Sequence, residues 1–359
     1  MPHKNEFNEC DEENGVELDI EEQQNLEIKP LITFGVLTDI QYADVDDGTS
    51  YDKKRSRYYR NSLNLVKEAI KNWKQYEHDN KQSLKFIIQL GDLIDGKCKG
   101  INESLPAMQR VLTELNSIFE NKLADEHGLP RLLHIFGNHE MYNFLRSDLV
   151  NLELNTARFL KQNLNTSANY YTYSVNEKLR LICLDFYEFS AIGYEESSDE
   201  YKQAFDFLTK HNKNKDLNST EGLRGHAQRF SKFNGALSQN QMSWFENELK
   251  NCSENKIRAI VCGHLPVHAK ASDPTCLAWN SKEVLEVLWR YNRTVIAYFA
   301  GHDHQGGYFR DKQNIHHVTF SAILETPSNS NAYATVKVYE NKVSVEGVGV
   351  IGYYEIYFD

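Results

Sequence analysis

The 359 residues are 40% hydrophobic and 12% aromatic, with 20 Tyr and 18 Phe, a composition that fits one large or two smaller globular domains and excludes a disordered chain. Most of the net charge of -11 sits at the start, where residues 1–30 hold ten acids against Lys4 and Lys29; the rest carries 41 acids and 38 bases. A near-neutral body has no basic field for DNA or RNA, and no apolar run approaches the roughly 20 residues of a membrane span, so neither nucleic acid nor a bilayer is an expected partner.

Residues 1–30 lack apolar periodicity and end at Pro30, which reads as a solvated acidic leader ahead of a single domain over 31–359. There is no basic-then-apolar signal pattern. Cys10, Cys98, Cys183, Cys252, Cys262 and Cys276 form neither Cys-x-x-Cys pairs nor a framework spacing, the usage of reduced thiols in a cytoplasmic protein.

Leu31–Thr38 is the first strand, and it delivers Asp39, Ile40 and Gln41. An aspartate-rich loop leads to a helix from about Ser56 to Trp73, whose Leu63, Val66, Ile70 and Trp73 share one face. Arg55, Arg57 and Arg60 cluster at its start as solvated charges or phosphate partners. The apolar strand within FIIQLGDLID then turns at Gly91 to present Asp92. Strand, helix and strand make a βαβ unit with parallel pairing, hence an α/β fold.

Helix signals over Leu105–Phe119 precede the strand Leu132–Phe136, which ends in Gly137, Asn138, His139 and Glu140; helical spacing resumes at Leu149–Leu164. Tyr170–Val175 and Leu179–Leu184 flank a turn as a hairpin. Residues 188–235 are polar and irregular, too long for an ordinary connection, and read as a partly helical insertion near the site. A capped helix, Ser238–Lys250, feeds the strand Ile257–Cys262, which stops at Gly263 and His264. The helix Lys282–Tyr291 feeds Val295–Ala300, which stops at Gly301, His302, Asp303 and His304. Ile315–Phe358 alternates as strand sequence and is expected to supply a second sheet.

Five strands thus end in metal-competent side chains: Asp39 with Gln41, Asp92, Asn138 with His139, His264, and His302 with His304. Any one of them alone is an ordinary loop residue. Together they converge, because the carboxyl ends of parallel strands share one edge of a sheet. Asp39, Gln41 and His304 can hold one ion, Asn138, His264 and His302 a second, with Asp92 between them. Mixed oxygen and imidazole donors suit manganese, zinc or iron rather than calcium. Two ions about 3.5–4 Å apart would activate a water and clamp an in-line phosphoryl displacement.

The set Asp39-Ile40-Gln41, Gly91-Asp92, Gly137-Asn138-His139-Glu140, Gly263-His264 and Gly301-His302-Asp303-His304 resembles the calcineurin-like metallophosphoesterases, from about Leu31 onward. Gln41 stands where that superfamily usually has histidine; its neutral, harder oxygen predicts a looser, more manganese-like first site. With the segments around QRFSKFNGALSQNQMSWF, PTCLAWN and GHDHQGGY, it is similar to the branch that hydrolyses ADP-ribose and CDP-alcohols. The resemblance implies a four-layer α/β/β/α sandwich of two mixed β-sheets and two divalent ions, Mn²⁺ first, with Zn²⁺, Mg²⁺ or iron as alternatives. It implies ADP-ribose, CDP-choline and CDP-glycerol as substrates of a monomer, and His139 as the group that protonates the leaving oxygen or, alternatively, orients Asp92.

Of three alternatives, two stay open. A protein Ser/Thr phosphatase would resemble GDxVDRG after the shared aspartate, but Gly96 follows Asp95, so the phosphate-gripping arginine is missing. A cyclic-nucleotide phosphodiesterase and a scaffold without ions remain. For the base and ribose pocket the candidates are Tyr194, Arg229 and Phe230 in the insertion, and Cys276, Trp279 and Asn280 in the following loop.

Overall fold

The apolar run Ile32–Leu37 forms the middle of a six-stranded sheet, parallel to Ile87–Gln89 and antiparallel to Ala332–Val338. Leu132–His134 extends it in parallel on one side; Lys342–Gly349 and Tyr353–Tyr357 extend it antiparallel on the other. A second six-stranded sheet runs in the order Gly307–Arg310, His316–Thr319, Val295–Ala300, Arg258–Cys262, Leu179–Cys183, Tyr171–Ser174. Its four middle strands are parallel and its two edge strands antiparallel. The computed structural model describes residues 29–50, 53–164 and 166–358, so all but the last two residues of the expected acidic leader lie outside the described residues.

The sheets pack face to face. Tyr173 of the second meets Phe86 beside the first with ring centroids 4.8 Å apart, and Tyr171 donates its hydroxyl to the carbonyl of His134 at 3.0 Å. Helix Tyr59–Asn80 covers the outer face of the first sheet, where Trp73 lies edge-on to Tyr333 at 5.0 Å and donates to Thr335 Oγ1 at 3.0 Å. Helix Gln239–Glu254 covers the second sheet through buried Phe245 and Leu249. Helices Ser104–Asn116 and Ser281–Arg290 complete the outer layers, giving the four-layer α/β/β/α sandwich that the motif set implied. One continuous apolar core runs through both sheets. Among the described residues, no helix is long and apolar enough to cross a membrane.

Two expectations need correction. The tail from Ile315 does not make a sheet of its own: His316–Thr319 joins the second sheet, whereas Ala332–Val338 and the strands after it return to the first. Alternation reveals a strand but not its partner, which long-range packing chooses. The helical spacing at 149–164 resolves into two short helices, Arg146–Leu149 and Thr156–Phe159, the second capped by the side chain of Asn155. Residues 188–235 hold a helix, Asp199–His211, and a 3-10 turn, Gly225–Arg229, around a small cluster of Ala204, Leu208, Phe230, Ala236 and Trp279.

Candidate metal centre

Four of the seven candidate ligands leave their strands through turns that ordinary side chains avoid. Asp39, Gln41, Asp92 and His302 have φ of 48°, 43°, 63° and 67°, left-handed values that residues other than glycine adopt only under constraint. Gly91, at φ 109°, has no room for a side chain, since a Cβ there would lie 2.3 Å from His264 Nδ1. A Cβ on Gly137 would lie 2.1 Å from Asp92 Oδ1. These two glycines let strands from different sheets bring Asp92, Asn138 and His264 together.

The side chains meet around Asp92, which is buried. His264 Nε2 lies 3.5 Å from Asp92 Oδ2, 3.2 Å from Asn138 Oδ1 and 3.1 Å from His302 Nδ1. Ligand atoms of Asp92, His264 and His302 all fall within 4.8 Å of one another. On the other side of Asp92, Gln41 Nε2 lies 3.1 Å from Asp92 Oδ2, 3.4 Å from Asp39 Oδ1 and 2.9 Å from His304 Nε2. The remaining ring nitrogens face outward: His264 Nδ1 is 2.8 Å from the carbonyl of Leu90, and His304 Nδ1 is 2.8 Å from Glu325 Oε1. Both partners accept, so the outer nitrogens keep their protons and each imidazole, in its neutral form, aims a lone pair inward.

This arrangement fits two divalent cations. Gln41 Oε1 is buried without a partner while its NH₂ faces two carboxylates and an imidazole nitrogen; turning the amide over would aim the oxygen at a cation between Asp39, Asp92 and His304. Burial opposes charge on His264, yet Asp92 and Asp39 outweigh it and push the imidazole up to about 9. His304, beside Asp39 and Glu325, also reaches about 9 against the effect of burial. Burial, then the neighbouring His264, hold His302 at about 3. Burial likewise opposes ionisation of Asp92, but His264 and His139 keep it below the ordinary carboxylate range. The paired carboxylates thus draw positive charge to this point, the demand that metal ions meet.

The sequence pattern of calcineurin-like phosphoesterases matches residues 32–306. The chain belongs to that family. Within it, this phosphoesterase is 40% identical over 345 residues to the manganese-dependent ADP-ribose/CDP-alcohol diphosphatase of Xenopus tropicalis, covering 92% of this chain and 95% of that one. It is 37% identical to the human protein of the same name, covering 89% and 90% of the two chains. A crystal structure of a dimetal phosphatase from Danio rerio superposes with a TM-score of 0.85 at 36% identity, covering 92% of this chain and all of that one.

Beside the metal centre the phosphoesterase opens a cavity of about 1170 Å³, lined by Arg55, Arg57, Tyr142, Phe233, Cys276 and His139 among others. His139 Nδ1 accepts the N–H of Gly96 at 2.9 Å, which leaves Nε2 to carry the proton, 3.9 Å from Asp92 Oδ2. Arg55 and Arg57 reach Glu325 at 3.3 and 3.4 Å; Arg60 turns away to Asp44 and Asp46 at the surface. Of the pocket candidates only Cys276 lines the cavity. Trp279 is buried and donates to the carbonyl of Ser231, Asn280 pairs with the backbone of Leu237, and Arg229 holds the carbonyl of Trp279 and stacks on Phe230. Tyr194 donates to the carbonyl of Glu188. These five are the inner packing of the insertion rather than its wall, a distinction that an aromatic in a polar stretch does not display.

Sequence reasoning missed Glu140, Glu325, Tyr187 and Asn234. Glu140 accepts the N–H groups of Asp92, Leu93 and Gly137 at 2.8, 2.7 and 2.7 Å, tying two ligand-bearing turns together. Its place directly after His139 was the available signal. Tyr187 reaches Asn138 Oδ1 at 3.3 Å from the end of another strand, and nothing local marks it.

Proposed function

We propose that this phosphoesterase is a two-metal hydrolase that cleaves the pyrophosphate bond of ADP-ribose, to AMP and ribose 5-phosphate, and of CDP-alcohols such as CDP-choline and CDP-glycerol, to CMP and the phospho-alcohol. The observation that carries this reading is the gathering of six donors, Asp39, Gln41, Asn138, His264, His302 and His304, around the buried carboxylate of Asp92 beside a large cavity. The substrate class rests on relatives named for ADP-ribose and CDP-alcohols that align over about nine-tenths of the chain. In our reading Asp39, Gln41 and His304 would hold one ion, Asn138, His264 and His302 the other, and Asp92 would serve both. Two ions, manganese first with zinc, magnesium or iron as alternatives, would supply a water of lowered pKa and positive charge opposite the transferring phosphorus.

The chain's own residues then have separate tasks. His139 would protonate the leaving oxygen from Nε2, a reading supported by the Gly96 N–H that occupies its other nitrogen. Arg55 and Arg57 border the cavity as cations for the second phosphate. Glu325 holds both arginines and His304, so it sets one ligand and the adjoining cations together. The protein would act as a cytoplasmic monomer; the five described free cysteines accord with that reducing compartment.

The test is a panel of ADP-ribose, CDP-choline, cyclic AMP and a phosphopeptide, each with Mn²⁺, Mg²⁺ and Zn²⁺. The first two should turn over with Mn²⁺, and Asp92→Asn should abolish that turnover while leaving the circular dichroism unchanged. Preferred hydrolysis of the cyclic nucleotide or phosphopeptide, or undiminished turnover by Asp92→Asn, would refute the reading.

A further inference from the structure

Asn234 lies at the end of the insertion and is fully buried. Its Nδ2 donates to the carbonyls of Arg229 and Thr275 at 2.8 and 2.6 Å. Carbonyl oxygens only accept, so the amide has one permitted orientation: NH₂ toward those two oxygens and Oδ1 toward His302 Nε2, 2.8 Å away. Oδ1 is itself an acceptor. His302 must therefore carry its proton on Nε2 and present the lone pair of Nδ1, the atom 3.1 Å from His264 Nε2. A chain of forced donors and acceptors runs from two loop carbonyls to the imidazole at the centre. The neighbouring peptide is held in the same way, since the carbonyl of Phe233 lies 3.2 Å from the hydroxyl of Tyr187, which also reaches Asn138 Oδ1.

From this we infer that Asn234 is a positioning residue: it fixes the tautomer and direction of His302 and so sets the affinity for the ion held with Asn138 and His264. The inference rests on the two-ion reading above. The other imidazoles do not need the insertion, because His264 is set by Leu90 and His304 by Glu325, both on the body of the sandwich. His302 depends on a residue that also holds the turn Gly225–Arg229 and the turn Pro274–Cys276, the second of which carries the cavity-lining Cys276. One metal position is thereby fastened to the substrate-side loops.

The experiment compares wild type, Asn234→Ala and Asn234→Asp. Mn²⁺ binding is followed by electron paramagnetic resonance, thermal unfolding is measured with chelator present, and the metal-free proteins are labelled with ¹⁵N-histidine to read the His302 tautomer. Asn234→Ala should weaken one Mn²⁺ about 10–100-fold, leave the other unchanged, and give His302 as a tautomer mixture. Asn234→Asp keeps the acceptor for Nε2 but loses both donors; it should unfold at lower temperature yet bind both ions at least as tightly as wild type. Wild-type affinity at both sites and an unchanged Nε2–H tautomer in Asn234→Ala would overturn the inference. So would Asn234→Asp losing affinity in step with stability, which decides the matter alone if Asn234→Ala does not fold. Wild type binding fewer than two Mn²⁺ would instead sink the two-ion reading.

Discussion

Replacing Glu140 by glutamine isolates what holds Asp92, the proposed bridging carboxylate, in place. One oxygen of Glu140 accepts the N–H groups of Asp92 and Gly137, and the other accepts that of Leu93. The least disruptive glutamine puts its NH₂ at the second position, so that a donor faces the Leu93 N–H in a buried site. An unsatisfied buried donor costs about 1–3 kcal/mol, and the two surviving bonds lose charge assistance worth about 1 kcal/mol more, for a total of about 2–4 kcal/mol. With an unfolding entropy of about 0.7 kcal/mol/K for a domain of this size, the melting temperature should fall by about 3–6 °C. The comparison belongs at pH 8.5, because burial and then the charge of Asp92 push the Glu140 carboxyl up to about 7, and above that value it is ionised. Chelator must be present, since bound metal would mask the difference. Because the turn that carries Asp92 would loosen at Leu93, Mn²⁺-supported turnover should drop about 10–100-fold. A melting temperature within about 1 °C of wild type would refute the claim that these three bonds organise the turn.

Burial alone holds His134 at about 3, so on acidification the unfolded chain takes up the proton first and stability is lost as pH falls from about 6.5 toward about 3. The loss at pH 5 comes to about 2 kcal/mol, and His134→Leu should unfold with a smaller difference between pH 5 and pH 8 than wild type; an equal difference would contradict the assignment. Arg146 and Asp185 form a buried two-pronged pair at 2.6 and 3.3 Å, so Arg146→Ala should lower the urea-unfolding free energy by about 3–5 kcal/mol, and a loss under about 1 kcal/mol would show that Asp185 finds other partners. Phe233 lines the cavity with its ring 5.8 Å from His302, whereas Trp279 lies in the satellite cluster behind it. Phe233→Ala should raise KM for ADP-ribose about 10-fold, and Trp279→Phe should leave KM unchanged while lowering the melting temperature; the reverse pattern would restore Trp279 to the pocket.

The strand ends were legible in the sequence because their signal is local: an apolar run, a glycine, and a ligand type in the next position. The glycines were legible for a physical reason, since Gly91 and Gly137 abut His264 and Asp92 where no Cβ fits. The residues that orient the ligands were not. Asn234 and Glu325 touch His302 and His304 across 68 and 21 positions, and an asparagine or glutamate in a loop has no spacing that announces such a partner. The same limit hid the sheet to which Ala332–Val338 belongs, paired with Ile32–Leu37 at the opposite end of the chain. Trp279 and Phe230 were misread because an aromatic that packs a small cluster looks, in sequence, like one that grips a base.

Four candidate ligands sit on left-handed backbone that glycine would occupy with less strain, by about 1 kcal/mol at each position. Backbone strain and catalysis therefore pull in opposite directions at those places. A directed-evolution campaign that rewards heat resistance without manganese should give way first at Gln41, whose Oε1 has no partner, and last at Asp39 and Asp92, whose carboxylates also accept the N–H groups of His302 and His139, whereas adding the ion to the screen would hold Gln41 in place.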